Sequence, residues 1–187
     1  MTGTVIDIAK SILTPASVLA KTTRMYQDAL RADMEAGRPA NLWQLVPSGI
    51  CHAVANECHL ILEAAALSDF EATKYAGKLL ESGISLSSTT NPAVLLPLLT
   101  AEIIDWPAPI MVEAVRNVIR TEEWLTVAKI HTACAAVRAW YQVSGYAAAR
   151  HLKEHERRAK ERAEAERLAK ERSDPECQQR IAELISQ

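Results

Sequence analysis

An all-α fold is predicted by three features of this 187-residue sequence. Alanine is abundant beside only six glycines and one phenylalanine. Apolar residues recur at helical spacing, and capping and stop residues bracket each such run. The expected architecture is a compact bundle of roughly five to seven helices, from about residue 4 to residue 145. A long charged helix protrudes over 146–172, and a short amphipathic tail occupies 173–187. The length fits one domain with an appendage, whose core needs neither disulfides nor metal.

Val5, Ile6, Ile8, Ala9, Ile12 and Leu13 suggest a short first helix ending near Thr14, where Pro15 can open the next. In that second helix Val18, Leu19, Thr22, Met25, Tyr26, Ala29, Leu30 and Met34 form the expected inner face. Gly37 offers a left-handed stop. Leu42, Trp43, Leu45 and Val46 make an apolar plug before Pro47. Ser48 is the expected cap of a helix to about Leu67, charged only at Glu57 and Glu63 and therefore expected to be the most buried.

Ser68-Asp69-Phe70-Glu71 is a capping box: the serine oxygen meets an orphan N–H and the glutamate reaches back. The helix it opens should use Phe70, Ala72, Thr73, Ala76, Leu79 and Leu80 inward and stop at Gly83. Residues 85–91 read as a loop. Asn91-Pro92 then caps a helix carrying Val94, Leu95, Leu98, Leu99 and Ile103, with Pro97 expected to kink it.

Asp105 to Trp140 is the organising stretch: two helices meeting at a corner. Pro107 and Pro109 sit where a helix begins, because the first turn needs no N–H from them. Ile110, Val112, Ala114, Val115, Val118 and Ile119 form its apolar stripe. Trp124 and Leu125 anchor the corner, and Thr126 caps the second helix without a capping box, since Lys129 stands at the third position. Trp106, Trp124 and Trp140 are expected to hold the core.

The order Trp-Pro, Ala-Val-Arg, Glu-Trp-Leu-Thr and Ile-His-Thr-Ala-Cys, followed by a charged helix, resembles a group of phage and prophage replication proteins. These are similar to helical accessory proteins that load or restrain the replicative DNA helicase. The resemblance covers roughly residues 92 to 172. It implies an all-helical binding protein whose partner is that helicase.

From Thr126 the helical pattern continues for about 45 residues, on the order of 68 Å. Val127, Ile130, Ala133, Cys134, Val137, Trp140 and Tyr141 are core-like, and Ser144-Gly145 is a weak point. From His151 to Arg172 the only apolar residues are Leu152, alanines and Leu168. Glu154 with Arg158, Glu156 with Lys160 and Glu166 with Lys170 have the favourable four-residue order, each worth roughly 0.2–0.5 kcal/mol in an isolated helix. Alanines with so few large residues make no coiled-coil seam, so an exposed spacer is expected. Ile181, Leu184 and Ile185 give the tail a small apolar face suited to a partner's groove. Together with Arg157 and Arg158 they are the candidate partner-binding residues.

The net charge of −2 argues against a nucleic-acid-coating protein, and the basic residues of the last helix are interleaved with glutamates and lack aromatics for base stacking. Neither a signal peptide nor a membrane span is read, and four irregularly placed cysteines suit a reducing cytoplasm. Cys51-His52 and Cys58-His59 lie seven positions apart, about 10 Å along a helix, which zinc bonds of about 2.0–2.3 Å cannot bridge. His131 and Cys134 would supply half a site at most, so the core reading is preferred and no metal or cofactor is expected. No serine elbow, phosphate loop or activated Cys–His pattern appears, and no catalytic residue is assigned. A non-enzymatic helicase-binding protein is the leading expectation. The alternatives are a regulator of a host defence or transcription complex and a self-associating structural protein.

Overall fold

The computed structural model describes residues 16–86, 91–121 and 124–173 with a few single positions beyond, and the side chains from Met25 onward. The expected helix over 5–13, the side chains of Val18, Leu19 and Thr22, and most of the tail lie outside what is described. Six α-helices are present among the described residues: α1 (Ala16–Glu35), α2 (Ser48–Leu62), α3 (Asp69–Glu81), α4 (Pro92–Ile104), α5 (Ala108–Thr121) and α6 (Val127–Ser173). There is no strand among them, only isolated bridges joining Ala66 to Pro107 and Ser85 to Trp124. The fold is all-α with a long C-terminal helix.

Several boundaries follow the local chemistry read from sequence. Ser68 Oγ accepts from the Glu71 N–H while Glu71 Oε2 accepts from the Ser68 N–H, completing the capping box at the start of α3. Asn91 Oδ1 accepts from the Ala93 N–H, with Pro92 in the first turn of α4. Thr126 Oγ1 accepts from the Lys129 N–H and starts α6. Gly37 and Gly83 end α1 and α3 at φ values of 63° and 80°, where a Cβ would be strained.

α6 is the hub. It packs against α1, α2, α4 and α5, while α3 packs chiefly on α4. The largest fully buried side chains include Leu30, Leu99, Ile103, Ile110, Met111 and Ile130, drawn from four helices around one core. Burying each such side chain fully is worth roughly 1.5–3 kcal/mol before the ordering cost. The corner is pinned to the α3–α4 connection by a 3.0 Å bond from the Leu125 N–H to the Ser85 carbonyl, and Leu125 is buried.

Other expectations are corrected. α2 is capped at Pro47 and not by Ser48, ends at Leu62 well before Leu67, and buries only Cys51, Val54 and Cys58. α5 buries a broader face, with Ile110, Met111, Ala114, Val115 and Val118 all inside. The inner face of α1 is rotated: Gln27, Leu30 and Asp33 are buried, whereas Met25 and Ala29 face solvent. Phe70 is 77% exposed because α3 turns Ala72, Ala76 and Leu79 inward. Val94 and Leu98 are also exposed, since α4 buries the Leu95, Leu99 and Ile103 row. Of the corner tryptophans only Trp124 departs from the expectation, being exposed; Trp106 and Trp140 are half-buried and pack against the core, and the buried tryptophan is Trp43.

The packed part of α6 reaches past residue 145. Gly145 lies inside a continuous helix and tucks under α2, where an added Cβ would meet Cys58 Cβ at 3.2 Å. Ala147, Ala148, His151 and Glu154 are buried beyond it. Burial ends near Glu154, so the arm begins about two turns later than the composition change suggests.

Candidate docking arm and its root

Residues 159–173 of α6 are exposed at every position, a helical arm of about 22 Å at 1.5 Å per residue. Arginines hold it together. Arg167 donates to Glu164 at 2.7 and 3.0 Å and to Glu171 at 2.6 Å, spanning two turns. Arg157 bridges Glu154 behind it and Glu161 ahead of it. Bidentate guanidinium–carboxylate pairing favours arginine over lysine for these positions. The Arg167 bond holds the Glu164 carboxyl below its ordinary range. The expected Glu154–Arg158 pair is present with Nε 2.8 Å from Oε1.

At the root of the arm, residues 36–47 cross α6 as a strap. Trp43 Nε1 donates to the Arg38 carbonyl at 2.7 Å, and Asp33 Oδ2 accepts from the Gln44 N–H at 2.8 Å. Three successive turns of α6 grip this strap. His151 Nδ1 accepts from the Val46 N–H at 3.4 Å, and His155 Nε2 donates to the Val46 carbonyl at 2.8 Å. Arg158 Nη2 donates to the carbonyls of Ala40, Asn41 and Trp43 at 3.0–3.2 Å. The other ring nitrogen of His151 donates to the Leu30 carbonyl at 3.1 Å. Trp43 stacks at a tilt against His151, with ring centroids 5.1 Å apart, and the Arg150 guanidinium lies 5.4 Å from the Trp43 ring centre.

Glu154 is the electrostatic centre of this root. Hydrogen bonding from Arg157 holds its carboxyl down at about 2; Arg158 adds to this, while burial opposes it. Burial pushes the His151 imidazole below its ordinary value, against the pull of the Leu30 carbonyl and Asp33.

The candidate partner-binding residues separate. Arg158 builds the root, its guanidinium shared between Glu154 and strap carbonyls. Arg157 is also ion-paired but stays near the surface. Ile181, Leu184 and Ile185 lie outside the described residues. The root itself was missed in the sequence because its residues come from positions more than 100 apart. A histidine pair one turn apart, ahead of an arginine, was the only local signal.

The metal candidates do not converge. Cys51 and Cys58 are buried while His52 and His59 face solvent. His131 Nδ1 instead lies 2.8 Å from Glu102 Oε1, an oxygen that also accepts from Trp106 Nε1 at 2.9 Å, and Cys134 is buried. Among the described residues no three His, Cys, Asp or Glu side chains are grouped to hold a metal. Burial pushes the Cys51 and Cys58 thiols up to about 11 and Cys134 to about 12, so these thiols stay protonated near neutral pH. A groove of about 260 Å³ between α5 and α6 is lined by Glu113, Asn117, Ala136, Val137 and Trp140. Among the described residues no helix is long and apolar enough to cross a membrane.

The fold and this root define a helical bundle carrying a helical arm whose base is hydrogen-bonded to a strap of the bundle. No protein-family model, curated protein or solved structure matches the chain.

Proposed function

We propose that this chain acts by binding alone, as a phage- or prophage-type replication accessory protein that engages the replicative DNA helicase and either loads it or holds it inactive. The observation that carries a binding role is the arm. Residues 159–173 are helical yet bury no side chain against the rest of the described chain, while the root fixes the direction in which they project. A helix ordered in advance loses less entropy on docking than a disordered peptide. The helicase as partner rests on the resemblance over residues 92 to 172. The bundle and the arm would offer two contacts on one partner, and two tethered contacts gain avidity when their spacing matches the sites.

The test is a pull-down from a bacterial lysate, read by mass spectrometry, with the full chain beside a chain ending at Arg162, which keeps the root intact. The expected result is recovery of the replicative helicase with the full chain and loss of most of it with the shortened one. Recovery of a defence or transcription complex, or of no protein but the bait, would overturn the helicase reading. Equal recovery of helicase by both chains would remove the arm from the contact.

A further inference from the structure

His151 is fully buried, and its two ring nitrogens face opposite kinds of group. Nδ1 meets the Val46 N–H, and Nε2 meets the Leu30 carbonyl. Only the neutral ring with its proton on Nε2 satisfies both. An imidazolium carries a second N–H on Nδ1, which would point at the Val46 N–H, donor against donor in a site closed to water. His155 differs, since its Nε2 donates to a carbonyl in either protonation state.

We propose that His151 makes the strap a proton-sensitive catch: the neutral imidazole holds residues 40–46 on α6, and the imidazolium releases them. Release uncovers Trp43 and Val46, both buried when the strap is closed, and frees the backbone carbonyls that anchor Arg158 at the root of the arm. Acidification thus converts a closed root into an open apolar surface.

The surroundings support this direction. Asp33, from α1, and the Leu30 carbonyl favour the charged ring, and the Trp43 face gives a cation some attraction. Arg158 and His155 on α6 oppose charge, and burial outweighs every other influence. Glu154 is taken up by Arg157 and Arg158, Arg38 pairs with Asp33, and Arg150 covers Trp43. The Cys51 thiol, from α2, donates to the Val46 carbonyl at 3.4 Å and stays protonated throughout. The group with a forbidden donor on protonation is therefore His151.

The experiment is amide hydrogen exchange on the full chain from about pH 7.5 to about pH 5, corrected for intrinsic exchange chemistry. Protection of the 40–46 amides should fall by up to about tenfold per pH unit below about pH 6.5, while amides of α4 and α5 keep theirs. His151→Gln retains one acceptor and one donor without a titrating proton, so its strap protection should lose this pH dependence. His155→Gln should keep it. Flat strap protection in the unsubstituted chain, or the same slope in His151→Gln, would overturn the catch. Should His151→Gln fail to fold, ring nitrogen NMR on the unsubstituted chain decides. A midpoint for His151 that coincides with strap opening supports the catch, and a midpoint apart from it overturns it.

Discussion

Arg158 Nε lies 2.8 Å from Glu154 Oε1, one turn back on the same helix, and this pair marks the level where α6 stops being packed and becomes an arm. Glu154 is only 5% exposed, and Arg157 satisfies the rest of its carboxylate. That arrangement aims Arg158 Nη2 at the carbonyls of Ala40, Asn41 and Trp43. One carboxylate thus positions the guanidinium, and the guanidinium positions the strap.

Arg158→Ala removes this contact while leaving Glu154 paired with Arg157, so the buried carboxylate is not orphaned. Hydrogen bonds to charged groups contribute roughly 1.5–3 kcal/mol, and a loss of that size is expected in urea unfolding. Arg158→Lys should recover less than half of it, because an ammonium cannot present a planar fork to Glu154 and the strap together. A change below about 0.5 kcal/mol, the range of ordinary surface substitutions, would show that the strap is held without Arg158.

Acid should weaken the root in a second, lower window. Glu154 in the folded chain sits at about 2, below its ordinary 4.5, so its contribution is complete above 4.5. It is lost as pH falls from 4.5 toward 2, because the unfolded state binds the proton first. Glu154→Gln should therefore lower stability at neutral pH and flatten its decline across that interval. Urea unfolding of both chains between about pH 5 and about pH 3 measures this. Parallel declines would mean that other carboxylates carry the acid sensitivity. The His151 window opens higher, near pH 6.5, because burial lowers that imidazole from its ordinary value.

Much of the fold was legible because its punctuation is local. The Ser68–Glu71 box, Asn91-Pro92, Thr126 and the glycines at 37 and 83 act within a few residues, so the sequence contains both partners of each contact. Which way each helix faces was less legible. α4 has apolar residues on both sides, so periodicity could not choose between the Val94–Leu98 row and the Leu95–Leu99 row. The root was hidden for another reason: His151, Glu154 and Arg158 have the composition of a solvated helix, and only the strap's return across them makes them interior. Charge pattern alone therefore placed the end of the packed region too early.

Gly145 lets α6 pack close against α2, since a Cβ there would stand 3.2 Å from Cys58 Cβ. The side-chain volume of Gly145→Leu cannot be taken up by the far end of a flexible neighbour, because the obstructing atom is fixed to the α2 backbone. A loss of roughly 1–3 kcal/mol is expected, as for other overpacked sites. Gly49→Leu is the control, since nothing lies within 4 Å of its added Cβ. Equal unfolding midpoints for the two variants would show that α2 and α6 have more room here than the packing indicates.

The separation of arm from bundle makes opposite forecasts for two truncations. Among the described residues, a chain ending at Arg162 removes only exposed helix and keeps His151, Glu154, Arg157, Arg158 and Glu161, so the described core loses no packing. Its unfolding free energy should stay within about 0.5 kcal/mol of the full chain, a shift of roughly 1–2 °C. The helical signal should fall with the residues removed. A chain ending at Ser144 instead deletes the buried Ala147, Ala148, His151 and Glu154 and leaves the strap with none of its α6 partners. Its midpoint should fall by roughly 5 °C or more. Circular dichroism of the three chains during thermal unfolding decides. If the Arg162 chain falls as far as the Ser144 chain, the arm stabilises the bundle and residues 159–173 are not held in reserve for a partner. If both shortened chains match the full one, the strap contributes nothing to stability and the root has no mechanical hold on the arm.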